Sequence, residues 1–202
     1  MDEARAVREF WFGELPLSAA ELERRMQLWF GAGGERWDEE IRSRFGALLE
    51  RAASGALAAW ADGPRRRLSL ILLLDQFPRN MFRGSARAFA YDEKALALTL
   101  SGMQSAADAA LSLVERMFFY MPLQHAESRE AQDESVAACR RLREEAPADL
   151  HPVFEDVLRW ADRHRAIIEQ FGRFPHRNAL LGRASTPAEE EWLRTGGDTF
   201  AQ

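Results

Sequence analysis

The sequence predicts an all-α fold of about eight or nine helices with short connections, in one domain covering residues 1–202. Three observations carry this. A helix-start pattern, Ser or Thr with Glu three residues later, recurs at Ser18/Glu21, Ser112/Glu115 and Thr186/Glu189, the last with Pro187 in the first helical position. Apolar residues return at three- and four-residue spacing. Strand-like alternation is nearly absent. With 202 residues, 47% of them hydrophobic, the chain is long enough for one sizeable core.

Taken in order, Ser18 predicts the start of a helix leading to Trp29-Phe30, followed by a flexible turn at Gly31-Ala32-Gly33-Gly34. That glycine run lacks the Lys-Ser/Thr of a phosphate-cradling loop. Asp38 is expected to cap the next helix, whose stripe is Ile41, Phe45, Leu48, Leu49 and Ala52 and whose stop is Gly55. From about Arg65 to Phe77 the pattern is apolar all round. Leu68, Ile71 and Leu72 lie on one side and Leu70, Leu73, Leu74 and Phe77 on another, the mark of a central buried helix. Pro78 is expected to end it. Asp92 and Ser112 are read as further caps, Ser112 opening the stripe Val114, Met117, Phe118 and Met121. A third stripe runs through Phe154, Val157, Leu158, Ala161, Ile168 and Phe171, and Gly196 is expected to stop the last helix. No 34-residue tetratricopeptide consensus repeats along the chain.

Composition narrows the function classes. A net charge of −5 argues against a nucleic-acid partner, which needs a basic face. The longest apolar run, Leu70 to Leu74, is far below the roughly 20 residues of a membrane span. One cysteine, Cys139, rules out an internal disulfide, and the start Met1-Asp2-Glu3 lacks a signal peptide's pattern, so a cytoplasmic protein is expected. Lys94 is the lone lysine among 27 basic residues. That bias toward arginine weakens any single arginine as a sign of function.

One internal echo stands out. Gln76-Phe77-Pro78-Arg79-Asn80 repeats as Arg173-Phe174-Pro175-His176-Arg177-Asn178, each followed by an apolar stretch and a glycine, Gly84 and Gly182. Read locally, the arginines satisfy carbonyls at the end of one helix and the asparagines cap the next. Read functionally, the two turns meet and aim guanidinium groups at an anion.

These segments also carry a family likeness. Leu74 to Gly84, Phe171 to Asn178, Phe119-Tyr120-Met121-Pro122-Leu123 with His125 and Glu127, and Phe10-Trp11-Phe12-Gly13 with Trp29-Phe30 together resemble the motifs of the bacterial domain of unknown function 924. The likeness spans essentially the whole chain. It departs from the family at His125-Ala126-Glu127, where His-Ser-Glu is typical, so a hydroxyl role there is not expected. The resemblance implies a tetratricopeptide-like array of antiparallel helices and no established activity.

The candidate site gathers Asp75, Arg79, Asn80, Arg83, His125, Glu127, His164, Arg173, His176, Arg177 and Asn178. Asp75, at the end of an all-apolar helix, must be paired, hydrogen-bonded or protonated. His164 falls on the third stripe, a position that suits a packed core histidine as well as a site residue. His125 and Glu127 are expected in a turn after Pro122. With His164 and His176 they make a conceivable zinc set, but no pair has the spacing of a recognised metal site, and no cofactor is expected. No Gly-x-Ser-x-Gly elbow is present, and Cys139 reads as a packed residue. The leading expectation is a binding module with an arginine-lined cleft for an anionic small molecule or peptide. The alternative is a hydrolase using Asp, His and Glu in that cleft, with or without a metal.

Overall fold

The computed structural model describes residues 2–31 and 35–200, and no strand occurs among them. The expected glycine-rich turn lies, past Gly31, outside the described residues. Nine helices are described: α1 (Glu3–Phe12), α2 (Ala19–Phe30), α3 (Glu35–Ala53), α4 (64–81), α5 (Asp92–Gln104), α6 (Leu113–His125), α7 (Arg129–Glu145), α8 (His151–Phe171) and α9 (Pro187–Arg194). Short 3-10 turns at Ala58–Asp62, Ala86–Phe89, Ala107–Ala110 and Pro175–Arg177 join some of them.

The start signals act as read. Ser18 accepts from the Glu21 N–H, and both halves of the capping box form at Ser112/Glu115 and at Thr186/Glu189. Gly55 and Gly196 follow α3 and α9 with φ of 83° and 88°, a backbone shape that costs glycine no Cβ clash. Asp38 and Asp92 differ from expectation. Asp38 lies inside α3 and Asp92 is the first residue of α5, after Tyr91, so neither caps a helix.

The central helix is α4. Every residue from Leu68 to Pro78 is buried, as an all-apolar pattern requires. Its segments Pro64–Ile71, Leu72–Gln76 and Phe77–Met81 run on as one helix whose middle is a π turn, the Phe77 N–H reaching the Leu72 carbonyl. The helix passes through Pro78 to Met81, where the sequence rule predicts an end. Proline in a regular helix clashes with the carbonyl four residues earlier, here Leu74. The wider turn lies just upstream, where the bond from Phe77 to Leu72 replaces the regular four-residue ladder. Pro122 likewise sits inside α6, so His125 is the last residue of a helix and not part of a turn.

A core joins α1 to α8 around Trp11, Phe12, Phe77, Phe118, Phe119 and Phe154, all at most 1% exposed. Trp11 meets the edge of Phe118 at 5.4 Å and Phe45 meets Phe77 at 5.1 Å, the offset and edge contacts aromatic rings prefer. A smaller cluster of Ile167, Ile168 and Phe174, with Phe171, Trp192 and Phe200 against it, holds the described segment after α8 to that helix. Among the described residues no helix is long and apolar enough to cross a membrane.

Candidate functional site

The π turn of α4 and the end of α6 bring Asp75 against His125. Asp75 is fully buried, with Oδ1 2.6 Å from His125 Nδ1 and Oδ2 accepting from Gln76 Nε2 at 2.6 Å. Arg79, one turn on, donates to the Asp75 carbonyl at 2.7 Å and lies 3.4 Å from its carboxylate. Its two terminal nitrogens also grip Asp92, at 2.8 and 2.9 Å. Arg177 arrives from the second echo segment. It donates to the His125 carbonyl at 3.0 Å, lies 3.6 Å from Asp92, and is held between the rings of Phe89 and Phe174 at 4.7 and 4.4 Å. The echo segments therefore meet, but with different backbones: the first is helical, the second a 3-10 turn after Gly172.

Two carboxylates missed as site residues organise this cluster. Asp92 joins Arg79 to Arg177, and Asp38 holds Asn80 at 2.8 Å and Arg83 at 2.5 Å. A signal was present. Asp38 stands three residues before Ile41 and Asp92 three before Ala95, on the buried faces of their helices. Neither asparagine caps the start of a following helix: Asn80 lies inside α4, and Asn178 ends the 3-10 turn Pro175–Arg177.

Protonation follows from burial and neighbours. Burial opposes the Asp75 charge, but the His125 ring when charged, the Arg79 guanidinium and the hydrogen bonds from His125 and Gln76 outweigh it and bring the carboxyl down to about 2. Burial, and then the charge of Arg79, depress the His125 imidazole despite Asp75. Burial likewise takes His164 down to about 3. Its Nδ1–H donates to the Trp160 carbonyl at 2.8 Å, so the neutral ring is fixed in plane and tautomer. Burial lowers Arg177 to about 10, still a cation at neutral pH.

Beside this cluster lies a cavity of about 470 Å³. Its polar wall is Gln76, Arg79 and Asn80 from α4, Arg83 just beyond, Gln124 and His125 from α6 and His164 from α8, with Asp198 and Thr199 after α9 at the rim of the His164 side. Met26, Trp29 and Phe30 of α2, Met117 and Met121 of α6 and Trp160 of α8 form much of the apolar wall. Asp38, Asp75, Asp92 and Arg177 stand behind the polar wall without lining it.

The other expected residues go elsewhere. Glu127 pairs with Arg183 at 2.5 and 2.9 Å and accepts from the Phe174 N–H at 2.8 Å. Arg173 grips the buried Glu189 at 2.6 and 2.8 Å. Asn178 accepts from Arg183 Nε at 3.0 Å and donates to Ser185 at 3.1 Å. These bonds tie the segment 173–189 to itself and to the end of α6. His176 packs against Phe174 at 5.5 Å and does not line the cavity. Among the described residues no three His, Cys, Asp or Glu side chains are grouped to hold a metal ion. His125 and His164 are 6.3 Å apart between ring centres, and Glu127 is engaged by Arg183.

Compared with known proteins, residues 7–197 match the family described as "Bacterial protein of unknown function (DUF924)". The solved structure of a protein of unknown function from Agrobacterium tumefaciens is similar with a TM-score of 0.78 and 34% identity, over 96% of this chain and 98% of that one. Curated proteins give no match.

Proposed function

Since the chain belongs to the bacterial DUF924 family, whose description assigns no activity, we propose from its own cavity that it is a binding protein for a small molecule with an apolar body and an anionic end. The observation that carries this is the order of charges at the polar wall. Arg79 and Arg83 line the cavity, while the carboxylates that balance them, Asp38, Asp75 and Asp92, do not, and Asp198, the acidic residue that does line it, is paired with Arg163. An entering carboxylate meets guanidinium groups, amide groups and two neutral imidazoles first, and its apolar part faces methionine and aromatic side chains. A volume of about 470 Å³ suits a small ligand rather than a peptide. The lone cysteine is buried and suits a reducing compartment, which favours a cytoplasmic location.

Calorimetric titration at pH 7 with decanoate and with decanol tests this. Decanoate is expected to bind saturably, and decanol at least about tenfold more weakly, since a hydrogen bond to a charged group contributes about 1.5–3 kcal/mol. Equal affinities, or no decanoate binding, contradict the proposal.

A second reading is favoured by the Asp75–His125 contact. With Nδ1 engaged by Asp75, the His125 Nε2 is the basic nitrogen, on a residue that lines the cavity. It would act as the general base for attack of water on an ester. Turnover of p-nitrophenyl decanoate that His125→Asn abolishes would support hydrolysis, and no turnover by the unaltered chain ends it.

A further inference from the structure

We infer that the His164 side of the cavity is a subsite for a planar aromatic ring, so that the ligand class is an aromatic carboxylate, and that Phe200 holds the ring's place in the free chain. This rests on the binding reading above and narrows it.

The Phe200 ring lies parallel to the His164 imidazole, with ring centres 3.7 Å apart and planes 9° from parallel. Three further rings turn toward it: Trp160 at 5.8 Å, His176 at 5.8 Å and Phe174 at 6.4 Å, inclined at 65°, 78° and 89°. A planar ring is thus covered on one face by the imidazole and met around its rim by three inclined rings, the edge contacts aromatic groups favour. The platform is rigid before any ring arrives, because His164 is buried and its Nδ1–H is fixed on the Trp160 carbonyl. Being neutral, the imidazole loses no hydration of a charge when covered.

Phe200 is a borrowed occupant by comparison. It reaches the platform with a φ of 52°, a left-handed shape uncommon for a residue with a side chain. Its segment is held by the Gly197 N–H on the Trp192 carbonyl at 2.9 Å and by Asp198, paired with a half-exposed Arg163 whose Nε is 2.7 Å away. A solvent-facing pair of that kind holds weakly and is screened by salt. The segment can therefore give way to a ligand ring.

The ring site and the polar wall belong together. His164, Trp160 and Phe200 line the same cavity as Arg79 and His125, and the His125 and His164 rings are 6.3 Å apart. One small molecule can stack on His164 and set a carboxylate against the wall.

The test is calorimetric titration of 2-naphthoate into the full chain, Phe200→Ala and Asp198→Asn, with decanoate as a parallel ligand. Emptying the platform is expected to tighten 2-naphthoate at least tenfold in Phe200→Ala. Loosening the segment in Asp198→Asn is expected to tighten it two- to fivefold with the phenylalanine still present. Decanoate should change less in both. If 2-naphthoate binds both variants no more tightly than the unaltered chain while decanoate still binds, the ring subsite is refuted and the anion-binding cavity stands. If neither acid binds any of the three proteins, the cavity reading fails and this inference with it.

Discussion

Replacing Asp75 with alanine is expected to lower stability by about 3–5 kcal/mol, the range for removing one partner from a buried charge cluster. Asp75 is fully buried and receives the His125 and Gln76 side chains at 2.6 Å each, with Arg79 at 3.4 Å. Without the carboxylate those donors face a void that water reaches poorly, and each unsatisfied group carries its own desolvation cost. Asp75→Asn keeps the volume but presents an amide where the neighbours already donate, so it should recover only part of the loss. The effect depends on pH. The folded-state carboxyl titrates near 2, below the ordinary value of about 3.9 in the unfolded chain. Its contribution is present above about pH 4 and is lost as pH falls toward 2. Urea unfolding at pH 7 and pH 3 should show a pH-dependent loss in the unaltered chain that is smaller in Asp75→Asn. A loss below about 1 kcal/mol for Asp75→Ala at pH 7 contradicts this account.

Arg177→Ala is expected to cost a similar amount, about 3–5 kcal/mol, through different contacts. The side chain is 4% exposed. It satisfies the His125 carbonyl at the end of α6, balances Asp92 together with Arg79, and fills the slot between Phe89 and Phe174. Removal leaves a helix-end carbonyl unpaired and a cavity between two rings. Arg177→Lys should restore less than half, because an ammonium cannot lie flat between rings or branch to two acceptors. Unfolding curves for the two variants check this, and a lysine variant as stable as the parent would show that only charge matters there.

The helical frame was legible because its signals are local. The capping boxes at Ser112 and Thr186 and the stripes of α3, α6 and α8 need only near neighbours to form. His164 is buried, as its place on the third stripe suggests. Pro78 reads as a helix end because the rule about the preceding residue ignores the turn upstream. At Pro78 that turn is a π turn, which no residue spacing announces. Residue type alone points to Asp38 and Asp92 as caps, although their spacing places them on buried faces. Their partners, Asn80, Arg83, Arg79 and Arg177, are remote in sequence, and pairing at that range is set by tertiary packing. The echo of Arg79-Asn80 and Arg177-Asn178 was visible, but two similar strings take different backbones, and only the arginines share a partner. Phe200 carried no motif, since its place on His164 depends on how the segment after α9 folds back.

An anionic ligand is expected to sit against His125 and His164 in the α4–α6–α8 cavity. Side-chain ¹⁵N resonances of the four histidines, followed at pH 7 as decanoate is added, test it most directly. His125 and His164 line the cavity, while His151 is exposed at the start of α8. The His125 and His164 signals should shift together and saturate while His151 stays fixed. Saturable binding that moves His151 and leaves His125 and His164 unchanged would contradict it.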